Sequence, residues 1–258
     1  MVFPNFKDKQ DNDSFFSPVD FVEYKKKMGH YDDFTPPESV ILCYCRSIMD
    51  YVRNNLKITT VRGVSGELLL LGETGNRIGI SGNFGFGAPV VTTVVEELIA
   101  FGITNFISIG LAGTLQKDHK AGDIIVCDKA IRDEGTSYHY LKPSKYAYAS
   151  EEMTERIIKV LEEQGQKYFT GTSWTIDTPY RETVAEAKQY QEEGVATVEM
   201  EASALFAVAQ YRGARMGAMF TVSDSLAELE WSPEFHFEET RNGLETLCRV
   251  AIQTLSEQ

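Results

Sequence analysis

Basic residues are in short supply in this chain: 25 lysines and arginines stand against 38 acidic residues, a formal net charge of −13. Such a surface repels phosphate backbones and anionic membranes, which are bound through Lys and Arg. It leaves room for a small anion in a locally positive pocket. Long apolar runs are also missing. No stretch is long enough to span a bilayer, and the N-terminus is polar and acidic rather than signal-like. We therefore expect a soluble, cytoplasmic protein that binds neither nucleic acid nor membrane. Cysteine is scarce, with only Cys43, Cys45, Cys127 and Cys248. None forms a CxxC pair, so zinc is not indicated, and the four read as reduced, partly buried thiols. Cys43 and Cys45 alternate in an apparent strand and so share a face. The chain shows no internal repeat, no metal motif and no nucleotide-cofactor loop.

What is present suffices for one large α/β domain: 258 residues, 43% of them apolar. The chain is organised around residues 82–115. Gly82, Gly85 and Gly87 with Pro89 cannot continue a strand, and they make a turn in which backbone can pass close to a ligand. Val90, Val91, Val94, Val95, Leu98 and Ile99 then recur at helical spacing. Gly102 fits the position just past the helix end. Residues 105–109 form a short apolar strand, and Gly110-Leu111-Ala112-Gly113 reads as a second glycine loop. Two such loops at the ends of neighbouring strands suggest the crevice in which α/β sheets hold ligands.

Residues 1–37 read as an arm in which Asp11, Asp13, Asp20, Asp32 and Asp33 mix with Lys25, Lys26, Lys27 and scattered aromatics. Ser17-Pro18 starts a short helix through Met28. Two readings stand for the arm. It is a flexible tail, or it packs on a neighbouring subunit through Phe15, Phe16, Phe21 and Tyr24, which are costly to leave in water. Residues 38–258 form the domain. Residues 39–45 are the first core strand and 48–55 the helix after it. Residues 67–71 and 77–81 make a hairpin. Strands then follow at 123–128, 168–176, 195–198 and 216–222. Helices alternate with them: 151–164, capped by Ser150 and closed by Gly165, then 199–212, and a last one within 235–257.

Several motifs recur in a fixed order. They are Gly85-Phe86-Gly87-Ala88-Pro89, Glu96-Glu97-Leu98, Ile109-Gly110-Leu111-Ala112-Gly113, Val198-Glu199-Met200-Glu201-Ala202-Ser203 and Ser223-Asp224. Their order and spacing resemble the nucleoside phosphorylase family, which includes uridine phosphorylases, hexameric purine nucleoside phosphorylases and nucleosidases. The resemblance implies a three-layer α/β/α sandwich around a mixed twisted central sheet, with the site at the carboxyl ends of its strands. It implies a homo-oligomer (dimer, trimer or hexamer), often with sites shared between neighbours. It implies no cofactor, with inorganic phosphate as co-substrate.

By the same resemblance, Met200 lies under the ribose and Glu201, with Glu199 beside it, bonds the ribose hydroxyls. Glycosidic cleavage builds positive charge on the sugar. A carboxylate bonded to a ribose hydroxyl stabilises that charge more in the transition state than in the ground state. The plain alternative is a pair of acids suited to a helix start. Ser223-Asp224 matches relatives that cleave purine nucleosides, in which the aspartate protonates the leaving base. That role needs a raised pKa, which burial can supply. An N-cap pair is the alternative. Residues 177–183 fall where relatives contact the base. Tyr180 could stack on it, and Arg181 could bond a base carbonyl or pair with Glu182 or Glu186.

Gly85, Ser108 and Gly110 fall on the phosphate side. There the family's Gly-Asp-Pro-x-Arg loop reads Cys43-Tyr44-Cys45-Arg46-Ser47, and Ser108 and Leu111 stand where phosphorylases carry Arg and Ser or Thr. Arg46, Arg132 or an arginine from a neighbouring subunit are candidates for the missing positive charge; Arg46 is equally a surface residue at a helix start. The resemblance places the Glu134-Gly135-Thr136-Ser137 run near the site. His139, between two tyrosines, reads as structural, and no partner spacing gives it a metal role. His30 lacks the surroundings of the N-terminal histidine that relatives share between subunits. Three functions follow. The first is phosphorolysis of a nucleoside, purine preferred, to free base and ribose 1-phosphate. The second is hydrolysis by water in the same pocket, favoured by Ser108 and Leu111. The third is nucleoside binding without turnover.

Overall fold

The computed structural model describes residues 4–31 and 33–257; Asp32 of the arm, like residues 1–3 and 258, lies outside the described residues. The layers follow from strand alternation. In β1 (Ser39–Cys43), Val40 and Leu42 face one core, and Ile41 and Cys43 face another. A strand covered on both sides must be apolar on both. The first core is closed by α3 (Ala88–Ala100) and α6 (Ala202–Arg212) through Val91, Val95, Leu98, Leu205 and Phe206. The second is closed by α2 (Arg46–Asn55), α4 (Glu151–Glu163) and α7 (Glu238–Ser256) through Ile48, Met49, Ile157, Leu161, Leu247 and Val250. Burying each such side chain contributes roughly 1.5–3 kcal/mol. The product is a three-layer α/β/α sandwich.

The sheet between the layers is mixed. β2 (Ile58–Val61), β3 (Glu67–Leu71) and β4 (Ile78–Gly82) form an antiparallel meander. β1 then runs parallel to β4 and to β5 (Asn105–Thr114). Past β5, the strands β10 (Arg215–Ser225), β6 (Ile124–Asp133), β8 (Tyr168–Ile176) and β9 (Thr197–Glu199) pair in that order, and β9 pairs back onto β5. This half of the sheet closes on itself. As a result Gly113 of β5 has Val198 as its partner on one side and Asp224 on the other. β7 (Tyr146–Tyr148) and β11 (Ser232–Pro233) pair antiparallel with β6 and β10. α5 (Val184–Glu192) covers Trp174 with Ala187.

Gly110–Gly113 is not the loop that its glycines suggest. β5 runs unbroken through Thr114 because β10 pairs along its whole length. The last two helices start three residues later than their sequences suggest, at Ala202 and Glu238. Ser150 begins α4, but its Oγ accepts the N–H of Met216 at 2.8 Å rather than an amide of its own helix. α1 (Pro18–Lys27) starts on a reciprocal Ser17–Asp20 cap. It packs on its own chain, where Lys25 (2.8 Å) and Tyr31 bond the buried Glu97 of α3. Phe15, Phe16, Phe21 and Tyr24 remain exposed. The four cysteines are free thiols. Among the described residues, no helix is long and apolar enough to cross a membrane.

Candidate active site

A bulge builds the first part of the site. Val222 pairs with Ala112 and Asp224 with Gly113, so Ser223 is an extra residue in β10. Bulges bend a strand and re-aim the side chains beside them. Here the Asp224 carboxyl lies over Gly113, where an added Cβ would stand 3.0 Å from its Oδ2. Ser223 donates its hydroxyl to Oδ1 at 2.7 Å, and the Trp231 indole N–H donates to Oδ2 at 3.0 Å. Burial raises the Asp224 pKa, and these two bonds pull it partly back. The pair lies inside the strand, so it caps no helix.

The two acids at the end of β9 separate into different jobs. Oε2 of Glu199 accepts the N–H groups of Glu201 and Ala202, each at 2.7 Å, and so caps α6. Oε1 accepts the hydroxyls of Ser173 at 3.1 Å and Thr175 at 2.6 Å. Four donors saturate this carboxylate, which corrects the ribose role expected of Glu199: it holds the turn. Glu201 points elsewhere. Its Oε1 accepts the N–H of Gly87 at 2.5 Å and ties the turn to the glycine loop. Gly87 sits at φ 97°, a conformation that L side chains rarely adopt. Burial, then the charge of Glu199, pushes Glu201 up to about 8. Burial raises Glu199 as well, but its four donors favour the charged form, so the proton of the pair resides on Glu201. Met200, between them, is half-buried.

The phosphate side is built differently. Tyr44 follows β1, and its hydroxyl lies 3.1 Å from Oγ of the buried Ser108. Its ring lies against Gly110, where an added Cβ would come within 3.1 Å of Cδ2. The Phe84 ring meets it edge-on, with centroids 5.7 Å apart. Burial and the nearby Glu201 and Glu199 carboxyls raise the Tyr44 pKa, against the Ser108 bond. The two candidate cations differ in how far they are committed. Arg46 is exposed on α2, 3.9 Å from Asp50. Arg132 is buried and donates to Ser137, Leu141, Lys142 and Ser144, so it holds the 137–144 segment rather than an anion. Gly85 sits at φ 96°, and an added Cβ there would meet Cγ1 of Val90 at 4.0 Å.

The remaining candidates sort by position. Glu134 accepts the Ser203 hydroxyl at 2.9 Å and the N–H groups of Thr136 and Ser137, which joins that run to α6. Tyr180 and Arg181 sit exposed on the turn after β8. Glu186 does not take Arg181; it accepts both the N–H and the hydroxyl of Thr183. His139 accepts from the Lys9 ammonium at 2.7 Å, a structural contact. His30 is exposed and bonds through its backbone N–H to Lys25. Three residues escaped the sequence reading: Tyr44, Trp231 and Glu182. Burial, then the charge of Asp224, pushes Glu182 up to about 7. Its only signal in the sequence is its place beside Tyr180-Arg181.

A sandwich of this topology, with buried carboxyl groups gathered at the strand ends, defines a class of α/β proteins that bind small molecules in a crevice. The profile described as the phosphorylase superfamily matches residues 48–256, and this chain belongs to that family. Guanosine phosphorylase of Halorubrum lacusprofundi is 30% identical over 142 residues, 55% of this chain and 59% of that protein. A DeoD-type purine nucleoside phosphorylase of Bacillus cytotoxicus is 29% identical over 204 residues, 78% of this chain and 85% of the relative. Among solved structures, uridine phosphorylase of Vibrio fischeri superposes with a TM-score of 0.72 at 25% identity, over 86% of this chain and 92% of that one. Purine nucleoside phosphorylase of Toxoplasma gondii, in complex with immucillin-H, reaches 0.75 at 19% identity over the same shares, a likeness of fold.

Proposed function

We propose that this chain is an enzyme that cleaves the N-glycosidic bond of a nucleoside, with purine nucleosides preferred. The observation that carries the reading is the placement of Asp224 and the turn leading to Glu201 on either side of Gly113, with burial raising both carboxyl pKa values. Asp224, oriented by Ser223 and Trp231, gives its proton to the departing base, which leaves more easily as a neutral species. Glu201 holds the ribose hydroxyls and Met200 lies beneath the sugar. Tyr180 and Arg181 contact the base from their exposed turn. Binding alone would need no proton donor.

Relatives named guanosine and purine nucleoside phosphorylases support inorganic phosphate as the acceptor, with free base and ribose 1-phosphate as products. The likeness to a uridine phosphorylase supports a pyrimidine as the alternative base. Hydrolysis is the second reading, favoured by the commitment of Arg132 to its own loop and of Ser108 to Tyr44. The chain works without a cofactor, in the cytoplasm, as a homo-oligomer, and with no nucleic acid or membrane partner. The test is incubation with purine and pyrimidine nucleosides, with and without phosphate, and chromatography of the free base. Base released only with phosphate establishes phosphorolysis. Equal release without it establishes hydrolysis.

A further inference from the structure

Every hydrogen-bond donor to the Glu199, Glu201 and Asp224 carboxyls is neutral: backbone amides, hydroxyls and one indole. On the acceptor side the Ser108 hydroxyl is taken by Tyr44, and the Tyr44 ring covers Gly110. Phe84 braces that ring from its edge, and Gly110 has no side chain to push it away. An anion entering here would displace the phenol and then lie beside Glu201, while Arg132 is committed to its own loop. A water molecule needs only hydroxyl partners, and the Tyr44–Ser108 pair offers two.

We infer that Tyr44 closes the anion position of this pocket and selects water as the acceptor, so that the sugar product is free ribose. This inference rests on the reading of the site as a nucleoside-cleaving one and takes its hydrolytic branch. The C1′–N bond breaks and its electron pair leaves with the base, which takes the proton of Asp224. The oxygen of water bonds to C1′. The proton that water loses passes to solvent and restores the Asp224 carboxyl. Tyr44 is a specificity-determining residue in this scheme, since it fixes what may stand next to C1′.

Calorimetric titration of inorganic phosphate into the wild-type chain tests this without any turnover. No saturable binding is expected in the millimolar range. Tyr44→Phe keeps the ring and is expected to remain without binding. Tyr44→Ala combined with Ser108→Arg opens the position and adds a guanidinium; phosphate binding is expected to tighten about tenfold or more. In parallel, a purine nucleoside is expected to yield ribose, and no ribose 1-phosphate, from the wild-type chain at saturating phosphate. Phosphate binding by the wild-type chain, or ribose 1-phosphate among its products, overturns the inference. Absence of any base release sinks the nucleoside-cleaving reading instead, and the titration still decides the role of Tyr44.

Discussion

The two sides of the cleft use the same raw material, buried polar groups at the ends of neighbouring strands, and arrive at opposite chemistries. On the β9–β10 side, burial raises the pKa of an acid that a strand bulge sets over Gly113, while a second acid is spent on capping the helix behind it. On the β1–β5 side, a phenol and a hydroxyl bond each other; of the two nominated guanidinium groups, Arg132 is held by its own loop and Arg46 is exposed at the start of α2. The difference teaches that proton handling and anion handling are separable within one pocket. The first needs a dry carboxyl with few donors. The second needs cations that are not already satisfied.

The comparison can be broken most forcefully at Asp224. Asp224→Asn keeps the shape and removes the proton, so base release from purine nucleosides should fall by about 10²–10⁴-fold; a loss below tenfold would show that this side does not handle the proton. Next comes Arg132. Arg132→Ala removes four hydrogen bonds, one of them to the buried Ser137, and should cost about 2–4 kcal/mol of stability in urea unfolding, while the response to phosphate stays as in wild type. Glu201→Gln should lower kcat/KM by about 2–10-fold, from the weakening of a neutral hydrogen bond worth about 0.5–1.5 kcal/mol.

Glu201 also sharpens the contrast through pH. Its carboxyl rises in the folded state from 4.5 to about 8, so the folded chain holds a proton that the unfolded chain has lost. Stability from this group is therefore fully present below about pH 4.5 and declines as pH rises toward 8. Melting temperatures across that window should show a flatter decline in Glu201→Gln than in wild type. For Asp224 the sign is the same and the readout is rate: activity should fall as pH rises through its elevated pKa. The smallest effect belongs to Arg46→Ala, which should leave stability within about 0.5 kcal/mol and phosphate response unaltered.

Much of this was legible in the sequence, and the reasons for the remainder are physical. The valine stripe of α3, the apolar alternation of β1 and the cap of α1 are local signals, and each formed where expected. The Ser-Asp and Glu-Met-Glu motifs lie on strands that flank Gly113 of β5. Gly110–Gly113 misled because glycine content signals a turn, whereas pairing with β10, over a hundred residues away, decides the matter. Glu199 and Glu201 are indistinguishable as letters; side-chain direction across the β9–α6 turn separates capping of α6 from contact with the glycine loop. Tyr44 and Trp231 gain their roles from strands brought side by side, which no local pattern encodes. Arg132 looked like an anion ligand because its positive charge is visible in the sequence and its four acceptors are not.

The most direct test of the account is the release of free base from purine nucleosides by the purified chain, followed by chromatography beside a binding measurement with the same compounds. The account predicts that purine base appears, faster than pyrimidine base from matched nucleosides. A chain that binds these nucleosides and releases no base from any of them, with or without phosphate, would contradict it.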